Sequence, residues 1–128
     1  MFPAMTDAVF EITKAATFDA AHHLDNDSVG DRYRRLHGHS FRVEATVRGA
    51  AQAGTGWVED LAALDTALRA AAGELDHTLL NSHAGLENPT LERLCAHFAE
   101  RLKDRFPGLS RVVVSRPTIN ESCALQLG

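Results

Sequence analysis

The sequence is short of several things, and each shortage excludes a class of protein. It holds two cysteines in 128 residues, too few for the disulfide framework of a small secreted domain. Cys95 falls in a helical apolar stripe and Cys123 in a strand-like alternation, so both are expected as buried free thiols. No run approaches the roughly 20 apolar residues that a membrane-spanning helix needs. Lys and Arg number 13 against 17 Asp and Glu, a formal charge of −4, which argues against the basic face of a nucleic-acid binder. Met1 to Asp7 hold no basic segment leading into an apolar one, so no secretory signal is expected and a cytoplasmic address is the default. With 45% apolar and 23% charged residues, the composition is that of an ordinary globular chain with room for one core.

Residues 1–8 read as an N-terminal tail and 9–128 as a single domain, with no repeat or linker. Val9 to Phe18 alternates as a strand, Phe10 and Ile12 against Glu11 and Thr13. A polar loop, Asp25 to Asp31, leads into the basic patch Arg32-Tyr33-Arg34-Arg35. The clearest strand runs from about His39 to Gly49, with Phe41, Val43, Ala45 and Val47 on one face and Arg42, Glu44, Thr46 and Arg48 on the other. After a turn at Gly54-Thr55-Gly56, Asp60 can N-cap a helix whose stripe is Leu61, Leu64, Leu68, Ala71 and Leu75. Thr90 caps a second helix carrying Leu91, Leu94, Cys95, Phe98 and Leu102 on one side. Arg111 to Ser115 and Ser122 to Leu127 close the chain as two strands around a turn at Pro117 to Asn120. The order β-β-α-α-β-β predicts an α+β fold, a four-stranded antiparallel sheet with two helices on one face.

Seven histidines are a modest excess, and their placement is informative. In His37-Gly38-His39 the two imidazoles stand at i and i+2 of a strand, so both point to one face and can converge on one ion. The small Gly38 between them takes up no room. A third donor is available at His22 or His23, where the first strand ends. Catalytic zinc typically keeps three protein ligands and an open fourth position, and three neutral imidazoles leave its full charge to polarise an oxygen. Taken alone, the triplet reads better as a polar turn, and only with the histidine pair upstream does metal binding become an equal reading. His83, in a loop, and His97, off the stripe of the second helix, are expected to be exposed.

Phe18-Asp19-Ala20-Ala21-His22 and Leu36-His37-Gly38-His39-Ser40-Phe41 resemble the zinc-binding signatures of the 6-pyruvoyl-tetrahydropterin synthase family, above all its bacterial 6-carboxy-tetrahydropterin synthase branch in queuosine biosynthesis. Thr55 to Asp60, Leu75-Asp76-His77 and Gly85 to Thr90 follow in the same order, so the resemblance runs from about Phe10 to Leu127. It implies a tunnelling fold (T-fold), whose subunits pair their sheets into a barrel as a homo-oligomer, usually a dimer of trimers. It implies Zn²⁺ on His22, His37 and His39, with His22 and not His23 as the first ligand. It implies a pterin substrate, 7,8-dihydroneopterin triphosphate or a relative, that undergoes triphosphate loss and side-chain cleavage in a lyase reaction. Asp76 and His77 match the family's proton-transferring pair, a role suited to an imidazole that titrates near neutrality.

Two positions depart from the family pattern. Tyr33 stands where the family has its catalytic cysteine, and a phenol is a poorer base than a thiol. Arg116 stands where a glutamate should anchor the ring by accepting paired N–H bonds, which an arginine cannot do. Glu121, five residues on, is a substitute anchor, and Glu87 and Thr90 of the Gly85–Thr90 motif are further substrate-binding candidates. Arg35, with Arg32 and Arg34, offers planar forks for phosphate. Two rival readings stay open: a non-catalytic zinc- and pterin-binding homologue, and a zinc hydrolase acting on another heterocycle.

Overall fold

The computed structural model describes residues 7–25 and 30–128. Residues 1–6 of the expected tail, and Asn26 to Val29 of the expected polar loop, lie outside the described residues. The elements are β1 (Phe10–His22), α1 (Asp31–Arg34), β2 (His37–Gly49), α2 (Leu61–Leu75), α3 (Leu91–Leu102), β3 (Leu109–Arg116) and β4 (Glu121–Gln126), with short 3-10 turns at Leu80–Ser82 and Pro117–Ile119. The strands form one antiparallel sheet in the order β1-β2-β3-β4. α2 packs on β1, and α3 packs on β3 and β4. This is the expected α+β layer, with the four-residue α1 added inside what read as a basic patch. Among the described residues no helix is long and apolar enough to cross a membrane.

The alternation of β2 decides which face is covered. Phe41, Val43, Ala45 and Val47 are all buried, as are Val112 and Val114 beside them on β3 and Phe18 on β1. The helices present the matching stripes. The Asp60 carboxylate accepts from the Ala62 N–H at 2.9 Å and the Thr90 hydroxyl from the Arg93 N–H at 3.2 Å, caps worth about 1 kcal/mol each. Leu64, Leu68, Ala71 and Leu75 of α2 are buried; Leu61, expected at the head of that stripe, is exposed, and Ala72 joins the buried side. Between α3 and β3 the chain passes Gly108, where a Cβ would meet the Arg48 carbonyl oxygen at 2.8 Å. Only glycine fits there.

Two histidine expectations are corrected. His97 is buried, because seven of the twelve residues of α3 are covered and the buried arc extends past the apolar stripe. His83 is half-buried, its Nε2 2.9 Å from the Thr78 hydroxyl. The strands next to the histidine motifs are also longer than the alternation suggested. β1 continues four residues past Phe18 because Ala20, Ala21 and His22 pair with His39, Gly38 and His37.

Candidate metal centre and cleft

That extension of β1 builds the site. His22 and His37 are directly opposed across the β1–β2 ladder, and His39, two residues on, is a diagonal neighbour on the same face. The three rings stand edge to face, with centroids 4.6, 5.0 and 4.8 Å apart. Below them Phe18 and Phe41 stack at 5.0 Å and form an apolar floor. One donor nitrogen from each histidine falls within 4.8 Å of the other two, so the triad can hold a metal ion.

The donor chemistry fits a cation. His22 Nδ1 lies 3.2 Å from the Pro89 carbonyl oxygen and His37 Nδ1 lies 2.7 Å from that of Arg35. A carbonyl only accepts, so each Nδ1 carries the hydrogen and each Nε2 is left with a bare lone pair. Those two Nε2 atoms face each other at 3.0 Å. Two lone pairs at that distance repel unless a positive centre lies between them. A proton fills that place poorly, since burial, followed by the charges of neighbouring His37, His39 and Arg116, pushes His22 down to about 4. Burial and then Arg116 also lower His39. The carbonyls of Pro89 and Arg35 thus act as outer-shell partners that fix tautomer and ring orientation.

His37 and His39 open onto a cleft of about 1050 Å³. Its other lining residues include Asp19, Arg32, Tyr33, His77, Thr78 and Glu121. His77 reaches it from the end of α2, strapped along the outer edge of β1, while Asp76 beside it lines a separate hollow. The His77 N–H donates to the Asp19 carbonyl at 2.7 Å, and the Ala21 N–H to that of Thr78 at 3.0 Å. The Asp76 carboxylate accepts from the Asp19 N–H at 2.9 Å and holds His77 Nδ1 at 2.9 Å. Those two contacts lower Asp76 below the usual carboxylate range, and the Asp76 bond raises His77 above the usual imidazole range. His77 adopts φ 58°, a left-handed conformation that costs a non-glycine residue of order 1 kcal/mol. Its backbone is held there by the bond to Asp19, with the ring projecting into solvent.

The structure brings most of the expected site residues together and leaves three outside. Tyr33 lines the cleft from α1, with Arg32 5.9 Å above its ring. Glu121 lines it from the start of β4, paired across the hairpin with Arg116. Arg116 Nε is 2.9 Å from Glu121 Oε1, at an angle that makes an ion pair and not a hydrogen bond. Arg35 is not among the lining residues; its backbone carbonyl braces His37, and Arg32 is the arginine in the cleft. Glu87 and Thr90 do not line the cleft either. Glu87 accepts from the Gly85 N–H at 3.2 Å and Thr90 caps α3, so the Gly85–Thr90 motif reaches the site through the Pro89 carbonyl. His23 turns away to Asp25, 2.7 Å from its carboxylate. Neither cysteine lines the cleft: Cys95 is buried, its thiol 3.3 Å from the Cys123 carbonyl. Sequence reasoning missed Asp19 and Pro89, whose contributions pass through backbone atoms and leave no residue-type signature.

Comparison with known proteins bears on the family and the fold. A family model described as 6-pyruvoyl tetrahydropterin synthase matches residues 11–126. The chain is 34% identical over 93 residues to dihydroneopterin monophosphate aldolase of Pyrococcus furiosus, covering 73% of this chain and 75% of that protein. It is 38% identical over 109 residues to 6-carboxy-5,6,7,8-tetrahydropterin synthase of a Synechocystis species, covering 80% and 83%. Among solved structures, 6-pyruvoyl tetrahydropterin synthase of Caenorhabditis elegans superposes with a TM-score of 0.80 at 20% identity, over 94% of this chain and 97% of that one. The Plasmodium vivax protein of the same name gives 0.75 at 17%, over 95% and 99%. The fold is therefore the tunnelling fold.

Proposed function

The chain belongs to the 6-pyruvoyl tetrahydropterin synthase family, and from that premise we propose that it is a zinc-dependent pterin enzyme that cleaves the side chain of a 7,8-dihydroneopterin phosphate. The observation that carries this reading is the cleft itself: His37 and His39 of the convergent triad line it together with Tyr33 and with His77, whose ring is held by Asp76, and no thiol is among the described lining residues. His22, His37 and His39 would hold the zinc, which when bound polarises the side-chain hydroxyls and makes them more acidic. Asp76 keeps the hydrogen on His77 Nδ1, leaving Nε2 to take the proton of the C2′ hydroxyl. As that oxygen becomes an aldehyde, the C1′–C2′ bond breaks and its electron pair passes into the dihydropterin ring. His77 then returns the proton at C1′. The products are a hydroxymethyl-dihydropterin and a two-carbon aldehyde carrying the phosphate. In this reading Tyr33, which lines the cleft, would hydrogen-bond the reacting hydroxyls, and Glu121 would accept the ring's N–H donors. By the family's assembly, the uncovered polar face of the sheet lies inside a homo-oligomeric barrel.

A 6-carboxy-tetrahydropterin product is the second reading, favoured by the Synechocystis relative. Mass spectrometry of the zinc-loaded protein incubated with dihydroneopterin phosphates separates the two. Hydroxymethyl-dihydropterin is expected; carboxy-tetrahydropterin would replace the first reading by the second. No consumption, with one zinc per chain, would leave a binding protein. His77→Ala should lower turnover by about 10²- to 10⁴-fold and leave zinc bound.

A further inference from the structure

His22 stands at the last paired position of β1, and the residue after it is clamped by one side chain. The β1–β2 ladder ends at the His22–His37 pair, so β2 gives the chain beyond His22 no partner. Along its other edge β1 turns the peptide groups of Asp19, Ala21 and His23 outward, and residues 76–81 meet each in turn. Asp76 and His77 take those of Asp19, and the Thr78 carbonyl takes the Ala21 N–H at 3.0 Å. At His23 the partner is the Asn81 side chain. Its Oδ1 accepts from the His23 N–H at 3.1 Å, and its Nδ2 donates to the His23 carbonyl at 2.9 Å. Nδ2 also donates to the Glu87 carbonyl at 3.3 Å. Glu87 lies two residues before Pro89, whose carbonyl braces His22 Nδ1 at 3.2 Å.

A carboxamide suits this place because it carries a carbonyl acceptor and two N–H donors on one carbon. The partners also fix its orientation, since an N–H must meet the oxygen and two carbonyls must meet the nitrogen. Asn81 thereby holds both the backbone that carries His22 and the loop that orients its ring. On the far side of His23, the Leu24 N–H holds the Tyr33 carbonyl at 2.9 Å, so the same clamp steadies the chain from which Tyr33 hangs. We propose that Asn81 is a positioning residue of the metal centre, one that acts through backbone and loop and sets the triad's affinity by locking His22 opposite His37. This rests on the reading above, that His22, His37 and His39 hold a metal.

The test measures zinc affinity by competition with a chromophoric chelator, and the visible spectrum of the Co²⁺-loaded protein, which reports ligand number and geometry. Asn81→Ala is expected to weaken zinc binding by about tenfold or more, the scale on which outer-shell contacts act, and to change the cobalt spectrum. Asn81→Asp keeps the size and the acceptor for the His23 N–H but sets a carboxylate against two carbonyls. It should act in the same direction, and it carries the test if Asn81→Ala does not fold. Gly108→Ala is the control: it strains the packing between α3 and β3 and leaves the clamp intact, so its zinc affinity and cobalt spectrum should match the wild type. Wild-type affinity and spectrum in a folded Asn81 variant, or an equal loss in Gly108→Ala, overturns the inference while the metal reading stands. A wild-type chain that binds neither zinc nor cobalt overturns the metal reading, and the inference with it.

Discussion

Replacing His22 by phenylalanine should make the metal-free protein markedly less sensitive to acid. His22 is 0% exposed, and burial pushes it down to about 4 from the ordinary 6.5. Between those values the unfolded chain binds a proton that the native protein refuses, so stability falls as pH drops from 6.5 to 4 and is constant outside that window. At about 1.36 kcal/mol per unit, the loss reaches about 2 kcal/mol at pH 5 and about 3 kcal/mol below pH 4, against a typical total of about 5–15 kcal/mol. Phenylalanine keeps a ring against Phe41 and cannot titrate. It also forfeits the bond to the Pro89 carbonyl, but that cost is the same at every pH. The slope against pH is therefore diagnostic and the absolute stability is not.

The assay is urea denaturation in chelator at pH 7, 6 and 5 and fixed protein concentration, followed by circular dichroism. Between pH 7 and 5 the wild type should lose about 2 kcal/mol more than His22→Phe, with unchanged m-values. Burial also lowers His39, but that histidine is present in both proteins and largely cancels. Equal losses in the two proteins would refute the placement of His22 as a buried neutral imidazole. Zinc supplies a second arm: by mass action it should raise wild-type stability at pH 7 and raise that of His22→Phe far less.

Asp76→Asn should return His77 toward its ordinary range, since the Asp76 bond is what raises it. The acidic limb of the kcat/KM profile then moves to lower pH while kcat falls, and a limb that stays in place would show that His77 is not the base. His97→Leu removes a buried Nε2 that has no hydrogen-bond partner and should stabilise the fold by about 1 kcal/mol, read as a higher urea midpoint; a lower midpoint would mean that the nitrogen is satisfied in solution. Gly108→Ala puts a Cβ 2.8 Å from the Arg48 carbonyl oxygen and 3.1 Å from Val47 Cγ1, and should cost about 1–3 kcal/mol by overpacking. An unchanged midpoint would show that the packing of the α3–β3 turn against β2 yields more easily than its contacts imply.

Elements whose burial follows one period were legible in the sequence. β2 alternates cleanly because one face meets helices and the other does not, and the caps at Asp60 and Thr90 announce α2 and α3 through side chains that compete for backbone N–H groups. The ends of β1 and the start of β2 were not legible: Ala20-Ala21-His22 and His37-Gly38 hold no hydrophobic alternation, and only their mutual pairing makes them strand. His97 was misjudged because a helix covered on two sides buries more than its apolar stripe. The histidine triad was visible as spacing, whereas its bracing by the Pro89 and Arg35 carbonyls was not, since a carbonyl belongs to every residue. Gly38 looked like a spatial requirement, yet a Cβ there would make only ordinary contact, 3.6 Å from the Ala20 carbonyl oxygen.

The two halves of the candidate site are restrained very differently. Each of His22 and His37 is placed twice, by a strand register that extends thirteen paired residues along β1 and β2 and by a carbonyl on its Nδ1. A one-residue slip would turn both rings to the opposite face and every core residue of β2 with them. The histidine triad therefore cannot drift without loss of the fold. Tyr33 stands on a four-residue helix with no buried residue, held by backbone bonds such as Leu24 N–H to the Tyr33 carbonyl at 2.9 Å. Such bonds accept nearly any side chain. Substitution at that position costs the core nothing and changes a group that lines the cleft. The same reasoning applies at the β3–β4 hairpin, where Arg116 and Glu121 are cross-strand partners and Glu121, an exposed residue, lines the cleft. The histidine triad is held by the core, and the cleft beside it is lined in part by residues that the core does not constrain.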